Sequence, residues 1–315
     1  MKKLLSIAIA AVLFTCCKTK TSESSLSSEM KVDSMPLYEQ LIAADSVDHR
    51  LTSILDTLCS IEFGDYDMYN NDTLMAWKKR IEPVLVEMAD SLSISVSQEE
   101  KPRYVCGILS SCLDVLEERC SSSLEYLYLM GDRIALNRYV MTDISSQILE
   151  IDPDFRKEMD AWSSFHSALG DYCSSLVEIN YFGGSIGRVL STTVRAKIVI
   201  QRLDDIKGIY SLYTEPDCPS ALFLDLAKDL FVRSADEAVA RIPQKSDDDE
   251  YMDEYKRVQN NKLLMRVAYD NWIRVRQGMN TEKMSLSDAS QNEYEHNTAL
   301  LLRKLSEIIV SCFEK

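Results

Sequence analysis

Apolar residues recur three and four positions apart along most of the chain, which is the period of an α-helix with one buried face. From Leu37 to Leu58 they form one such stripe, and the helix is expected to end near Gly64. A second helix is expected to begin at Asp72 or Thr73, residue types that favour helix starts. The same spacing predicts further helices over residues 102–129, 132–151, 154–179, 186 onward, 219–242, 251–277 and 287–313. The pattern therefore predicts an all-α protein, a multi-helix bundle of antiparallel helices.

The longest break in this helical pattern covers residues 213–219 and contains two prolines. It divides the body into a helical domain at 36–212 and a C-terminal helical region at 219–315, so two helical subdomains are one possible architecture. The three tryptophans, Trp77, Trp162 and Trp272, stand in similar local sequences but 85 and 110 residues apart. Unequal spacing argues against a solenoid. Two interpretations remain open, a degenerate repeat of one helical hairpin and three Trp side chains in one core.

Composition narrows the class of protein further. Nine Gly and seven Pro make about 5% of the 315 residues, against a usual share of about 12%. This low share disfavours turn-rich β-folds and glycine-rich nucleotide-binding loops, which need these residues. The formal net charge is −15, which repels phosphate backbones and attracts cationic partners. We therefore expect no nucleic-acid ligand.

The N-terminus has the pattern of a secretory signal. A basic start, Met1–Lys3, precedes the apolar run Leu4–Phe14, which is too short to span a membrane. The segment Leu13–Cys16 resembles the bacterial lipobox, which implies that Cys16 is acylated and becomes the new N-terminus. Cys17 is the alternative register, and cleavage by an ordinary signal peptidase without lipidation also stays open.

The segment after the signal is too polar to bury a face. Residues 1–15 are predicted to be the lipoprotein signal peptide, and residues 16–35, rich in Ser, Thr, Lys and Glu, a disordered tether. The lipobox implies attachment to the bacterial cell envelope through the N-terminal lipid, and the outer membrane is the expected location. Whether the body faces the periplasm or the cell surface stays open.

Seven cysteines follow Cys16 and Cys17, and an odd number leaves at least one free thiol in an oxidising compartment. Cys106, Cys112 and Cys120 are expected on one helix, where their rise along the axis exceeds the span of a disulfide. The chain has no C-x-x-C pair, so the sequence does not indicate a zinc finger. Most cysteines are expected to be small buried hydrophobic residues.

Residues 120–207 resemble the LprI-like family of envelope proteins, which is named for a lysozyme-inhibiting lipoprotein. The matching positions are Cys120, Asp132, Leu136, Asn137, Tyr139, Trp162, Phe165, Cys173, Gly183, Gly184, Ser185, Thr193, Arg195 and Leu203. The chain departs from the family pattern at two points. Phe165-His166 stands where the family has an Arg after the Trp, and the family's cysteine beyond Gly-Gly-Ser is absent. The resemblance implies a lysozyme inhibitor and singles out Asn137, Tyr139, Trp162 and Arg195 as motif positions.

Two of these features have simpler explanations from the residues themselves. Trp162, Phe165 and Leu169 lie three and four apart and are expected in the core. The break at Gly183-Gly184 most simply ends one helix before the next. The sharper hypothesis makes it an exposed binding loop of Tyr181, Phe182, Gly183, Gly184 and Ser185.

No motif in the chain indicates catalysis. His49, His166 and His296 have no partner at the spacing of a metal pair, and the known hydrolase and nucleotide-binding motifs are missing. No metal and no cofactor is expected. The sequence therefore predicts a non-enzymatic envelope protein that binds a protein partner, with a cationic lysozyme as the candidate. An accessory subunit of an outer-membrane assembly and a glycan-acting enzyme of unrecognised type are the alternatives.

Overall fold

The computed structural model of the chain describes residue 42 and residues 71–181, 185–214, 224–243, 249–279 and 288–313. These residues form eight α-helices and no β-strand, which confirms the predicted all-α fold. The helices are α1 (Asn71–Ser91), α2 (Lys101–Arg119), α3 (Ser123–Ile151), α4 (Phe155–Tyr181), α5 (Ser185–Thr214), α6 (Leu224–Ala240), α7 (Asp249–Gln277) and α8 (Asp288–Ser311). None of these eight is both long enough and apolar enough to cross a membrane.

The apolar periodicity located most of these helices well. The predictions at 154–179, 251–277 and 287–313 correspond to α4, α7 and α8 to within two residues at each end. The predicted first helix lies outside the described residues except for Ile42, which packs against Trp77 and its neighbours.

The predicted helix over 102–129 is wrong at its C-terminal end, because residues 120–122 separate α2 from α3. Ser122 Oγ accepts a hydrogen bond from the Glu125 amide at 3.1 Å, and Glu125 Oε2 accepts one from the Ser122 amide at 3.1 Å. This capping box satisfies two N–H groups at the start of α3. Gly131, the predicted break, lies inside α3, and a Cβ atom there would meet nothing within 4 Å.

Helices α4 and α7 pack antiparallel along most of their length. Contacts step in opposite directions along the two helices, in the order Glu178–Arg257, Asp171–Asn261, Phe165–Tyr269 and Glu158–Arg276. Helix α5 is also antiparallel to α4, because Arg195 pairs with Asp171 and Arg202 with Glu158. The start of α4 therefore lies beside the C-terminal halves of both α5 and α7.

The buried apolar side chains form three clusters. The largest draws on α4, α5, α6, α7 and α8, so helices on both sides of the 213–219 break contribute to one core. A second cluster around Trp77 joins α1, α2 and α3. A third contains Ile148, Phe155 and Ile206 where α3, α4 and α5 meet the start of α8. The site described next lies between the first and third clusters, at the start of α4.

Candidate functional site

Four charged side chains meet in the interior and are called here the charge cluster: Glu158 on α4, Arg202 and Asp205 on α5, and Arg276 on α7. Each of these side chains is at most 2% exposed. Arg202 donates to both carboxylate oxygens of Glu158, with N–O distances of 3.0 and 2.5 Å. Arg276 donates to both oxygens of Asp205, at 2.9 and 2.5 Å. Cross-contacts of 3.0 Å from Arg276 to Glu158 and 2.5 Å from Arg202 to Asp205 join the two pairs.

Neutral groups complete the hydrogen bonding of the charge cluster. The Trp272 indole N–H donates to Glu158 Oε1 at 2.9 Å, and Arg276 Nε donates to Thr298 Oγ1 on α8 at 3.0 Å. The Arg202 guanidinium lies 4.5 Å from the centroid of the Trp162 ring, within the range of a cation–π contact. Four helices, α4, α5, α7 and α8, thus contribute to one hydrogen-bonded group.

The charge cluster holds two carboxylates and two guanidiniums, so its formal charge is zero. Burial pushes the pKa of Glu158 up, but Arg202 and Arg276 and the hydrogen bonds from Arg202 and Trp272 outweigh burial and hold it at about 2. Burial lowers the pKa of Arg276, but Asp205, Tyr294 and Glu158 outweigh burial and raise this pKa above its ordinary value. Glu158 and Arg276 are therefore ionised at neutral pH. A carboxylate that stays ionised and enclosed cannot donate a proton to a substrate, so Glu158 is unsuited to general acid catalysis.

His166 lies next to the charge cluster and is buried. Its ring stacks on Trp162 with the ring centroids 6.0 Å apart. Burial, with the positive charges of Arg138, Arg195 and Arg202, lowers its pKa well below the ordinary value of 6.5. His166 is therefore neutral at pH 7, and its surroundings oppose any gain of a proton.

Two of the predicted motif residues have packing roles on α4 and α5. Trp162 is buried and contacts Trp272 at 5.2 Å between ring centroids, with the rings nearly perpendicular. Arg195 donates to Asp171 Oδ1 at 2.8 Å, and its guanidinium crosses Gly170 so closely that an added Cβ would lie 2.8 Å from Arg195 Nη1. Trp162 thus lies in the core as expected, and Arg195 is held in an ion pair with Asp171.

The other two motif residues lie on α3, away from Trp162. Tyr139 is buried in the cluster around Trp77, with ring centroids 6.0 Å apart, and its hydroxyl lies 3.5 Å from Glu82 Oε1. Asn137 is half-buried on the same helix. Tyr139 and Trp162 therefore lie in different core clusters.

The predicted binding loop and lipidation site fall largely on residues that the structure does not describe. Phe182, Gly183 and Gly184, and also Cys16, lie outside the described residues. Tyr181 ends α4 and packs partly against the largest core cluster, and Ser185 begins α5. Ile186, the next residue, is 59% exposed. The loop stays a prediction, and its C-terminal flank presents an apolar side chain to solvent.

An apolar surface that the sequence analysis missed lies on the outer side of α7. Leu263, Leu264 and Val267, called here the α7 face, are 62%, 53% and 63% exposed. They lie on the side opposite Met265 and Trp272, which are buried. Monomeric proteins rarely expose adjacent large apolar side chains unless the surface binds something. The α7 face is therefore a candidate binding surface. Exposed pairs also occur on α3 (Leu124, Tyr128) and α6 (Leu226, Leu230), but each has two apolar side chains where α7 has three.

Neither the charge cluster nor the cysteines near α2 form a metal site. Among the described residues, no group of three or more His, Cys, Asp and Glu side chains is arranged to hold a metal ion. Cys106 and Cys112 are buried on α2, whereas Cys120 follows the end of α2 and is half-exposed, so the three do not share one helix as predicted. Both arginines of the charge cluster already occupy its carboxylates.

Comparison with known proteins adds no relative: no family model, curated protein or solved structure matches this chain.

The sequence analysis did not single out the charge cluster, although the sequence contains a signal for it. Glu158 stands four residues before Trp162, and Arg276 stands four residues after Trp272. Each therefore shares a helix face with a tryptophan that was expected in the core. A charged residue at such a position predicts a buried ion pair, but it does not name the partner on another helix.

Proposed function

We propose that the protein is a lipid-anchored, non-enzymatic protein of the bacterial envelope that binds a basic protein through the α7 face. The first partner to test is a cationic lysozyme. The observation that carries the proposal is the exposure of Leu263, Leu264 and Val267 on a helix whose opposite side is held in the core. Interface cores of this kind are apolar, and their rims are polar.

Charged residues surround the α7 face, as expected for the rim of an interface. Asp270 and Arg274 are exposed one to two turns further along α7. On the neighbouring α6, Asp236 accepts a salt bridge from Lys262 at 2.8 Å, which fixes the position of α7 at this point. A rigid helix presenting apolar side chains loses little entropy on binding.

The net charge supports a basic partner. The formal charge is −15, and removal of the signal with Lys2 and Lys3 would make it −17. Opposite net charges accelerate encounter, whereas apolar contact determines how long the complex lasts. The resemblance of residues 120–207 to LprI-like proteins points to the same class of partner.

Inhibition of a basic lysozyme by the purified full chain tests this proposal. We expect inhibition that persists at moderate salt, because apolar contact is not screened. Attraction by net charge alone would fade as the Debye length falls from about 10 Å at 0.1 M to about 3 Å at 1 M. Leu263→Asp should weaken binding at least tenfold, since it places a charge in the apolar contact.

Leu226→Asp is the matched control, because Leu226 on α6 is 61% exposed and undergoes the same chemical change. It should bind like the unchanged protein. If Ile186→Asp weakens binding and Leu263→Asp does not, the loop end of the bundle is the interface and the α7 face is not. No inhibition at any salt would reject the lysozyme assignment. A stable membrane complex recovered without lysozyme binding would instead support an accessory subunit of an outer-membrane assembly.

A further inference from the structure

Two buried cysteines from distant parts of the chain meet in the largest core cluster. Cys173 lies in the middle of α4, and Cys312 directly follows the last residue of α8. Both are buried, and they stand 139 residues apart in the sequence. Both belong to the cluster that joins α4 to α8.

The side chains and backbone around the two cysteines hold them together. The Cys173 thiol lies within hydrogen-bonding distance of the Cys312 thiol. Asn180, two turns further along α4, donates from Nδ2 to the Cys312 carbonyl at 3.2 Å. The Cys312 thiol donates back to the Ile308 carbonyl at 3.4 Å. The end of α8 is therefore fixed on α4 with the two sulfur atoms side by side.

The other cysteines in the described part of the chain do not offer this geometry. Cys106 and Cys112 stand six residues apart on α2, a rise of about 9 Å, which exceeds the Cα separation in a disulfide. Cys120 is half-exposed at the end of α2. All five described cysteines are free thiols in the structure, and of these Cys173 and Cys312 are the pair whose side chains contact each other.

We propose that Cys173 and Cys312 form an intramolecular disulfide that links α8 to α4. The two S–H bonds break and one S–S bond forms, with loss of two protons and two electrons. The electrons pass to the disulfide of a thiol oxidoreductase, or of oxidised glutathione, through a mixed disulfide, and that oxidant leaves as two thiols. The inference does not depend on the partner that the α7 face binds.

The surroundings of Cys173 determine when the bond forms. The hydrogen bond with Cys312, and then burial, raise the pKa of the Cys173 thiol well above its ordinary value, so the reactive thiolate is scarce in the folded protein. Burial also excludes an oxidant from both sulfur atoms. The disulfide therefore forms during folding, while the end of α8 is still open. An exported protein meets oxidising conditions at that stage.

Refolding of the full chain tests the inference. The reduced, denatured protein is refolded in a buffer of reduced and oxidised glutathione, remaining thiols are alkylated, and linked peptides are identified by mass spectrometry. We expect one linked pair containing Cys173 and Cys312. The melting temperature of the oxidised protein should exceed that of the reduced protein by roughly 5–15 °C, because the link closes a long loop of the unfolded chain.

Two variants make the result specific. Cys106→Ser changes a buried cysteine outside the pair and should keep the shift in melting temperature, whereas Cys312→Ser should abolish it. If Cys312→Ser does not fold, peptide mapping of the unchanged chain still decides the question. Recovery of Cys173 and Cys312 as alkylated thiols after oxidative refolding, or as partners of other cysteines, would overturn the inference.

Discussion

Glu158 accepts hydrogen bonds from two other helices, because its two oxygens bind Arg202 on α5 and both Arg276 and the Trp272 indole on α7. An ion pair in the interior repays the cost of leaving water only when the geometry is good and every polar atom has a partner. The charge cluster meets both conditions. Its contribution is therefore the placement of α4, α5 and α7 in one register, more than a large gain in stability.

Glu158→Gln should reduce the free energy of unfolding by about 3–5 kcal/mol at pH 7, since it leaves two buried guanidiniums with one carboxylate. Urea unfolding followed by circular dichroism measures this loss. Glu150→Gln is the control, because Glu150 is exposed on α3 and its change should cost under about 0.5 kcal/mol. The double variant Glu158→Gln, Arg276→Met should cost less than the sum of its parts, because it restores neutrality. Equal costs for Glu158→Gln and Glu150→Gln would contradict this role.

The same variant has a defined pH dependence. The pKa of Glu158 falls from an ordinary value of 4.5 to about 2 in the folded protein. Its contribution, about 3 kcal/mol, is therefore complete above about pH 5 and is lost as the pH falls towards 2. The difference in stability between the unchanged protein and Glu158→Gln should shrink over that range. A difference that stays constant from pH 7 to pH 3 would show that Glu158 is not held ionised by the arginines.

At the level of single helices, the boundary between α2 and α3 is set by the capping box of Ser122 and Glu125 and not by Gly131. Gly131 disfavours a helix by about 1 kcal/mol relative to Ala, which a long helix tolerates. Ser122 and Glu125 instead satisfy each other's backbone N–H groups in a capping box. A glycine inside a helix only makes the helix less stable, whereas a capping box stabilises one particular first turn. The capping box therefore determines where α3 begins.

Ser122→Ala should reduce the free energy of unfolding by about 1 kcal/mol, because the Glu125 amide loses its acceptor. Urea unfolding measures the change. Ser123→Ala, one residue into α3, removes the same hydroxyl from a position that does not cap and should change stability by under about 0.5 kcal/mol. If the two variants unfold alike, the cap does not stabilise α3.

At the scale of the whole molecule, five helices from both sides of the 213–219 break share the largest core cluster. Residues far apart in sequence are therefore neighbours, as Cys173 and Cys312 are, or Glu158 and Arg276. The chain has a formal net charge of −15, and α7 exposes Leu263, Leu264 and Val267 on the side away from the core.

Cys16→Ala should leave an unprocessed precursor that no longer fractionates with the outer membrane, because the acylated cysteine is the proposed attachment. Membrane fractionation and the mass of the N-terminal peptide provide the measurement. Cys17→Ala is the control and should leave attachment intact. If Cys17→Ala alone abolishes attachment, the lipidated position is one residue later. Membrane association retained in both single variants and in the double variant would reject lipidation.

The apolar pattern of the sequence was enough to predict an all-α fold and the positions of most described helices, although not the boundary between α2 and α3. Helical period and apolar spacing are local properties, so Trp162, Phe165 and Leu169 could be assigned to the core before any contact was known, and all three are buried. The same helical period puts Leu301, Leu305 and Ile308 on one side of α8, and all three are buried.

Which buried faces meet follows from the packing of the helices and could not be predicted from the sequence. The helical period predicts that Glu158 and Arg276 lie on the buried sides of their helices. It does not predict which helix each one contacts, because many ways of packing the helices bury the same apolar area. Their meeting depends on the antiparallel packing of α4 and α7. The pairing of Cys173 with Cys312 depends likewise on where α8 ends, and the exposure of the α7 face depends on the absence of a described helix packed on that side. Contacts between distant residues arise from the packing of whole elements, which no local pattern specifies.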